Sequence, residues 1–279
     1  MNHLEGRTAI LTGASGGLGP YIAQALAKQK MNLVLSALSA SSVDEIATKL
    51  SNQTKVVNIP ANVVDERDLE SLVLQSTNEL GAIDVLINNA GVEMFFPYHK
   101  VNTDDIRRIV AINLTAALLL TRLVLPQMLA RRCGHIVNIS SLSGKAGSPC
   151  AELYTATKAG LIAFTESLRA EYRGTGVSAS VICPGFVEAG IYQRVVEDTG
   201  LTAPWILGTS PPDAVAKAVL QAIKKDIPEI IVNPGPTRFL TTIAEFSPSF
   251  AEWFGRQFGI SKWFKKVAEI RERKEVLGR

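Results

Sequence analysis

Short apolar runs alternate with longer amphipathic segments along most of this chain, and this alternation limits the folds it can form. Several runs are apolar on both faces, as at Ile136-Val137 and Val181-Ile182, which is typical of parallel strands covered by helices on each side. The predicted strands are residues 8–11, 33–35, 55–59, 85–87, 135–139, 177–182 and 229–232. The predicted helices lie near residues 18–29, 42–51, 66–80, 103–131, 152–173 and 211–225. Such alternation predicts a doubly wound α/β domain with about seven parallel strands.

The same pattern predicts how the chain is divided. With 279 residues the chain can form one large domain with a buried core, and the alternation extends over residues 1–235. The stretch between Pro184 and Pro212 is too long for an ordinary connection, so we expect a lid at about residues 186–210. Residues 236–279 leave the alternation and are expected to form a C-terminal amphipathic helical extension.

Charge and cysteine content exclude several classes of protein. The formal net charge of +3 is too small to indicate nucleic-acid binding. The three cysteines lack C-x-x-C spacing, and the histidines are scattered, so neither a disulfide framework nor a metal site is expected. We find no signal peptide before the first strand and no apolar run of the roughly 18–20 residues that span a bilayer. The sequence therefore predicts a cytoplasmic protein.

A glycine-rich turn connects the first predicted strand to the first predicted helix. It reads Thr12-Gly13-Ala14-Ser15-Gly16-Gly17-Leu18-Gly19. Glycines allow the backbone to approach a pyrophosphate closely, and the following helix N-terminus favours its negative charge. At the first β-α junction, such a turn predicts a dinucleotide-binding site.

The end of the second predicted strand bears on the choice of dinucleotide. An acid at this place would bind the ribose 2′-hydroxyl of NAD, but no Asp or Glu occurs between Gly19 and Asp44. Ser39 offers a hydroxyl near a helix start. These features favour NADP, while the lack of a nearby Arg or Lys leaves NAD open.

Tyr154 and Lys158 are four residues apart on the predicted helix 152–173, so they share one helix face. A free tyrosine has a pKa of about 10 and is a poor base at neutral pH. We expect the Lys158 ammonium to favour the phenolate and to bring the pKa of Tyr154 into range for acid-base catalysis. Taken alone, the pair would more often be a surface contact.

The surroundings of the pair favour a catalytic interpretation. Ser141 follows the fifth predicted strand, while Asn88-Asn89-Ala90-Gly91 and Cys183-Pro184-Gly185 end two others. The carboxyl ends of parallel strands meet at one edge of a sheet, where ligands of such folds bind. The sequence therefore predicts one site at this edge.

In this order and spacing, T-G-x-x-x-G-x-G, N-N-A-G, Ser141, Tyr154-x-x-x-Lys158 and Pro184-Gly185 resemble the short-chain dehydrogenase/reductase family. The resemblance covers about residues 5–235 and is greatest to bacterial ketoacyl-reductase-like members. It implies a Rossmann-type domain and an NAD(P)-dependent oxidoreductase that moves a hydride between nicotinamide and a carbonyl or secondary alcohol.

The resemblance also implies roles for individual residues. Tyr154 would transfer the proton, Ser141 would polarise the carbonyl oxygen, and Lys158 would hold the nicotinamide ribose. Asn113 would anchor a water that relays the proton, although such an asparagine could equally be a cap or kink residue. The residues expected to contact the cofactor are Gly13, Ser15, Gly17, Leu18, Gly19, Ser39, Asn62, Val63, Asn89, Ala90, Gly91, Tyr154, Lys158, Pro184, Gly185 and Val187.

The lid and the C-terminal extension suggest the nature of the substrate and partners. Aliphatic and aromatic residues in the lid predict a hydrophobic small-molecule substrate. The extension interleaves aromatic and basic residues, which indicates either packing on its own subunit or a neighbour, or peripheral contact with anionic lipid. The helices at 103–131 and 152–173 carry more apolar surface than one sheet face needs, and the resemblance implies a homodimer or homotetramer.

Two other functions fit part of the pattern. A catalytically silent NAD(P)-binding regulator would share the fold, but it has no need of Ser141, Tyr154 and Lys158. An S-adenosylmethionine methyltransferase also begins with a glycine turn, but that function does not explain the tyrosine and lysine.

Overall fold

Seven parallel strands form one sheet in the computed structural model, which describes residues 1, 3–235 and 237–277. The strands are β1 Thr8–Thr12, β2 Asn32–Ser36, β3 Val56–Asn58, β4 Ile83–Asn88, β5 Gly134–Ile139, β6 Val177–Pro184 and β7 Glu229–Val232. The helices are α1 Gly19–Ala27, α2 Asp44–Ser51, α3 Glu66–Leu80, α4 Thr103–Val110, α5 Ala116–Ala130, α6 Glu152–Glu171, α7 Ile191–Thr199, α8 Pro212–Lys225, α9 Thr237–Phe246, α10 Pro248–Gln257 and α11 Ile260–Leu277. The strand order β3-β2-β1-β4-β5-β6-β7 confirms the predicted doubly wound, Rossmann-type fold.

Neighbouring residues of each central strand enter different layers of the core. Successive strand side chains point to opposite faces of a sheet. Ala9 and Leu11 of β1 pack in the layer that includes α1 and α8, whereas Ile10 packs in the layer that includes α3 and α5. Helices therefore cover both faces, which explains why these strands are apolar throughout.

The lid and the extension contain helices of their own. Helix α7 lies within the predicted lid, and helices α9, α10 and α11 form the extension. Pro236, where the extension was predicted to begin, lies outside the described residues, as do Gly278 and Arg279.

The predicted helix near residues 103–131 is confirmed over Thr103–Ala130, but it is not α-helical throughout. Helix α4 ends at Val110, Ala111–Thr115 form a π-helical turn, and α5 continues from Ala116. Such a turn inserts one extra residue into a helix and is frequent at functional sites. Here it contains Asn113, which is almost completely buried and forms hydrogen bonds to the backbone of Val92.

The expectation that no apolar run is long enough to span a bilayer is corrected by the helical segment Thr103–Ala130. It is long and apolar enough to cross a membrane, with a mean hydropathy of 1.9. Length and composition are only a weak indication, because a core helix of a soluble protein passes the same test. Leu120, Val124 and Met128 of α5 are buried in the core layer described above.

Candidate active site

The candidate site begins where the order of the strands reverses. From β1 the chain proceeds to β2 and β3 on one side, whereas β4 begins the other side, and such a switch point leaves a crevice at the carboxyl ends of the strands. The side-chain amide of Asn89 spans it, donating to the backbone oxygens of Thr12 and Gly13 at 3.0 Å each. Gly13 has a φ of +63°, and a Cβ there would lie 2.8 Å from the Cα of Ala90. Only glycine fits this close approach.

The glycine-rich turn also contacts the start of the lid. Gly190 directly precedes α7, and a Cβ on it would lie 2.7 Å from the Cα of Gly17. Side chains are thus excluded between the turn and the lid, in front of the N-terminus of α1. A bare backbone surface at a helix N-terminus fits the pyrophosphate of a dinucleotide.

Most residues predicted to contact the cofactor line one cavity of about 1040 Å³. They are Gly13, Ser15, Gly17, Leu18, Asn89, Ala90, Gly91, Tyr154, Lys158, Pro184, Gly185 and Val187. Gly19 lies at the start of α1 and does not line the cavity. Ser39, Asn62 and Val63 follow β2 and β3 and also do not line it; Ser39 is exposed, with its hydroxyl 2.9 Å from that of Ser41.

Ser141, Tyr154 and Lys158 border the same cavity, and all three side chains are largely buried. Ser141 follows β5, while the other two lie on one face of α6. The Nζ of Lys158 lies 5.7 Å from the centroid of the Tyr154 ring and donates a hydrogen bond to the backbone oxygen of Ile139 at 2.9 Å. The structure therefore brings together three side chains that could bind and protonate a carbonyl oxygen.

We expected Lys158 to lower the pKa of Tyr154, but with the protein's own groups alone this pKa is raised. Burial raises the pKa of Tyr154 to about 12; the charge of Glu93 also acts to raise it, while the hydroxyl of Ser141 acts to lower it. Burial likewise lowers the pKa of Lys158 to about 8. The reason is desolvation, which disfavours the charged form of both groups. The pocket therefore holds Tyr154 as a protonated phenol at neutral pH.

Asn113 lies behind these residues, in the π-helical turn. Its Oδ1 accepts from the backbone N–H of Val92 at 2.8 Å, while its Nδ2 donates to the oxygen of Val92 at 2.8 Å and to Thr157 Oγ1 at 3.2 Å. Gly91 separates it from the ammonium: a Cβ there would lie 3.4 Å from Asn113 Oδ1 and 3.3 Å from Lys158 Nζ. Asn113 therefore fastens the segment after β4 beside Lys158, and its role toward a water stays a prediction.

Several residues of the site were missed from the sequence. Phe95, Trp263 and Phe264 pack with Tyr154 in one buried cluster, and Glu93 is paired with Arg271 of α11. The aromatic pattern of the extension indicated that it packs against something. It contained no signal that the packing partner is the loop after β4.

Comparison with known proteins agrees with this geometry. The profile of the short chain dehydrogenases matches residues 7–200. Ketoacyl reductase HetN of Nostoc sp. is 41% identical over 277 residues, covering 97% of this chain and 96% of that protein. Nodulation protein G of Rhizobium meliloti is 33% identical over 195 residues, 70% of this chain and 79% of that protein. The 3-oxoacyl-[acyl-carrier-protein] reductase FabG of Salmonella typhimurium is 32% identical over 194 residues, with the same coverage of 70% and 79%.

Proposed function

This chain belongs to the short-chain dehydrogenase family, and we propose that it reduces an apolar carbonyl compound with Tyr154 as the proton donor. The family and the reductase relatives establish the broader class, an NAD(P)-dependent oxidoreductase acting on C=O or CH–OH groups. One observation supports the finer proposal: Ser141, Tyr154 and Lys158 border the same cavity as the glycine-rich turn.

The residues around this cavity fit a nicotinamide dinucleotide. The glycine-rich turn would receive the pyrophosphate on backbone N–H groups at the N-terminus of α1. Asn89, Ala90 and Gly91 would border the nicotinamide ribose, whose hydroxyls would accept hydrogen bonds from Lys158. When bound, the nicotinamide supplies the hydride for reduction or accepts it in oxidation, and its oxidised ring adds a positive charge.

The side chains of the site would handle the proton. Tyr154, protonated at neutral pH because burial raises its pKa to about 12, donates to the carbonyl oxygen as negative charge develops there. Ser141 donates a second hydrogen bond to this oxygen; its present contact with the backbone oxygen of Pro184 is long, at 3.5 Å, and easily exchanged. The ammonium of Lys158 stabilises the phenolate that remains. A water held near Asn113 would return the proton.

The edge of the crevice beyond β2 supports a preference for NADP. Ser39 is exposed there, and Leu38, whose surface is 76% exposed, carries no charge. Asp44, the first acid after Gly19, accepts a hydrogen bond from Asn58 at 2.9 Å. A 2′-phosphate would therefore meet hydroxyls rather than a free carboxylate. Titration of nicotinamide fluorescence should give a lower Kd for NADPH than for NADH.

The oligomeric state, the cellular location and a peripheral membrane contact are also part of the proposal. We expect a homodimer or homotetramer acting in the cytoplasm. Peripheral membrane contact is proposed only for α9 and α10, where Phe239 and Phe246 of α9 and Trp253 of α10 are exposed. Trp263 and Phe264 of α11 are buried in the protein's own core. Co-sedimentation with anionic vesicles should weaken in Phe246→Ser, and equal partitioning of variant and wild type would remove the membrane contact.

Binding and turnover together test the proposed function. Fluorescence enhancement of NADPH or NADH on mixing would separate a dehydrogenase or a regulator from a methyltransferase. Consumption of the reduced nicotinamide with a panel of ketones and aldehydes is then expected. Cofactor binding without turnover of any carbonyl compound would favour the catalytically silent regulator.

A further inference from the structure

Helix α11 covers the catalytic end of the cavity with aromatic rings. Trp263 and Phe264 are buried and line the cavity. Their ring centroids lie 6.4 and 5.3 Å from that of Phe95, in edge-to-face arrangements. Phe95 in turn lies edge-on to Tyr154, with 6.0 Å between the centroids. One layer of rings thus connects the C-terminal extension to the proposed proton donor.

Arg271 fastens this helix to two other sides of the cavity. Its guanidinium lies 2.8 Å from the Glu93 carboxylate, in the segment after β4, and 3.0 Å from that of Asp198 in α7. Lys274 adds a hydrogen bond to the backbone oxygen of Asp198 at 2.6 Å. A guanidinium held by two carboxylates has little freedom to move. Helix α11 is therefore a fixed wall that joins the lid to the floor of the site.

The chemistry of this wall suits an apolar chain. Phe186 adds another ring, 4.9 Å from Trp263 between centroids, and Val267 completes the buried cluster. Aromatic faces bury methylene groups well, and each buried methylene strengthens binding by about fourfold. A carbonyl compound placed at Tyr154 would have its substituent directed along these rings.

We propose that Trp263 and Phe264 select the substrate by holding an apolar chain, attached to the reacting carbonyl carbon, against α11. This inference rests on the proposed carbonyl reduction and names its substrate class. The family profile ends at residue 200, before α11 begins, so the selecting surface is an addition to the matched part of the catalytic domain.

A series of methyl ketones of increasing chain length tests the selection. In the wild type, kcat/KM should rise about three- to fourfold for each added methylene. In Trp263→Ala this rise should flatten, because added methylenes no longer meet the indole ring. Trp253→Ala is the matched control, because Trp253 lies in α10, is 55% exposed and does not line the cavity; its profile should parallel the wild type. An unchanged chain-length profile in Trp263→Ala would overturn the proposal.

A binding measurement separates this inference from the proposed function. The chain has three tryptophans, so Trp205→Phe/Trp253→Phe leaves Trp263 as the single reporter in its native place. Its emission should shift on titration with long-chain ketones more than with short ones, whereas a protein keeping only Trp253 should not respond. A Trp263 response without any turnover would contradict the proposed reductase function but support binding of an apolar chain by α11. Turnover of long-chain ketones without a Trp263 response would contradict only the proposed binding by α11.

Discussion

Tyr154 occupies a pocket that disfavours its ionised form, so its phenol is protonated at neutral pH before the reaction. A phenol whose pKa is about 12 carries the proton needed for reduction, and it gives this proton up as negative charge develops on the carbonyl oxygen. The nearby Lys158, with its pKa lowered to about 8 by burial, is the first of the two to lose its proton as pH rises.

The pH dependence of carbonyl reduction should therefore be one-sided. Both Tyr154 and Lys158 are protonated below their folded-state pKa values, so kcat/KM for reduction should be level around neutral pH. It should fall as pH rises through about 8, where Lys158 loses its proton and no longer stabilises the phenolate. A pH-rate profile for reduction measures this. A rate that increases from pH 7 to 9 would contradict the proposed roles.

Gly13 shows how a single residue secures the crevice. Gly13→Ala places a Cβ at a φ of +63° and within 2.8 Å of the Ala90 backbone, so we expect a loss of about 1–3 kcal/mol in the free energy of unfolding. Gly16→Ala is the matched control from the same turn, since a Cβ there meets nothing within 4 Å. Urea unfolding compares the two, and equal stability of both variants would contradict the close approach described for Gly13.

The grouping of the candidate catalytic residues at one cavity could be predicted because their signals are local. The spacing of four residues between Tyr154 and Lys158 predicts that they share a helix face, and Ser141 follows a predicted strand. Glu93 could not be found in this way, because its partner Arg271 is 178 positions away along the chain. The effect of burial on the pKa of Tyr154 also depends on α11, which no local pattern places over the site.

Elements were predicted well where one periodicity holds over a whole segment and poorly where it changes within one. The alternation of β1 and β4 with helices is regular, and the sequence predicted those elements within a few residues. The π-helical turn at Ala111–Thr115 adds a single residue inside a long apolar helix, which a periodic pattern does not resolve. Its cause is tertiary, the pairing of Asn113 with Val92.

The ion pair of Arg271 with Glu93 should carry much of the docking of α11. Arg271→Gln leaves the Glu93 carboxylate, only 7% exposed, without this charged partner, and we expect a loss of about 3 kcal/mol in the free energy of unfolding. The matched control is Arg256→Gln, which removes a surface pair with Glu252 whose side chains are 75% and 74% exposed; its cost should stay below about 1 kcal/mol. Similar unfolding curves for the two variants would show that α11 is held by other contacts.

At the scale of the whole molecule, the doubly wound parallel sheet was predicted from the regular alternation and from the family resemblance. The docking of the C-terminal extension did not, because amphipathic helices of this kind fit a neighbour, a membrane or the protein's own surface equally well. The burial of Trp263, Phe264 and Val267 beside Tyr154 decides this for α11. The stability of the fold at the other end of the sheet depends on a different buried group, His135.

Because of His135, the free energy of unfolding should depend on pH in the acidic range. His135 is a buried residue of β5, with Nε2 2.9 Å from the hydroxyl of Ser180 in β6, and burial lowers its pKa to about 4. The unfolded chain, with a histidine pKa of about 6.5, binds this proton more readily, so the free energy of unfolding should fall by about 3 kcal/mol between pH 6.5 and 4. His135→Gln should flatten this part of the profile, whereas the exposed His99→Gln should not. Parallel profiles for wild type and His135→Gln would contradict this assignment.

The proton-donor role of Tyr154 is tested most directly by single-turnover reduction of a long-chain ketone in wild type and Tyr154→Phe, with the Kd for NADPH measured on both. The variant keeps the ring that packs on Phe95 and loses only the hydroxyl. The Kd should therefore stay close to that of the wild type, while the rate of hydride transfer falls by about 10²–10⁴-fold. A variant that binds NADPH and reduces the ketone at the wild-type rate would contradict the role of Tyr154 and the mechanism built on it.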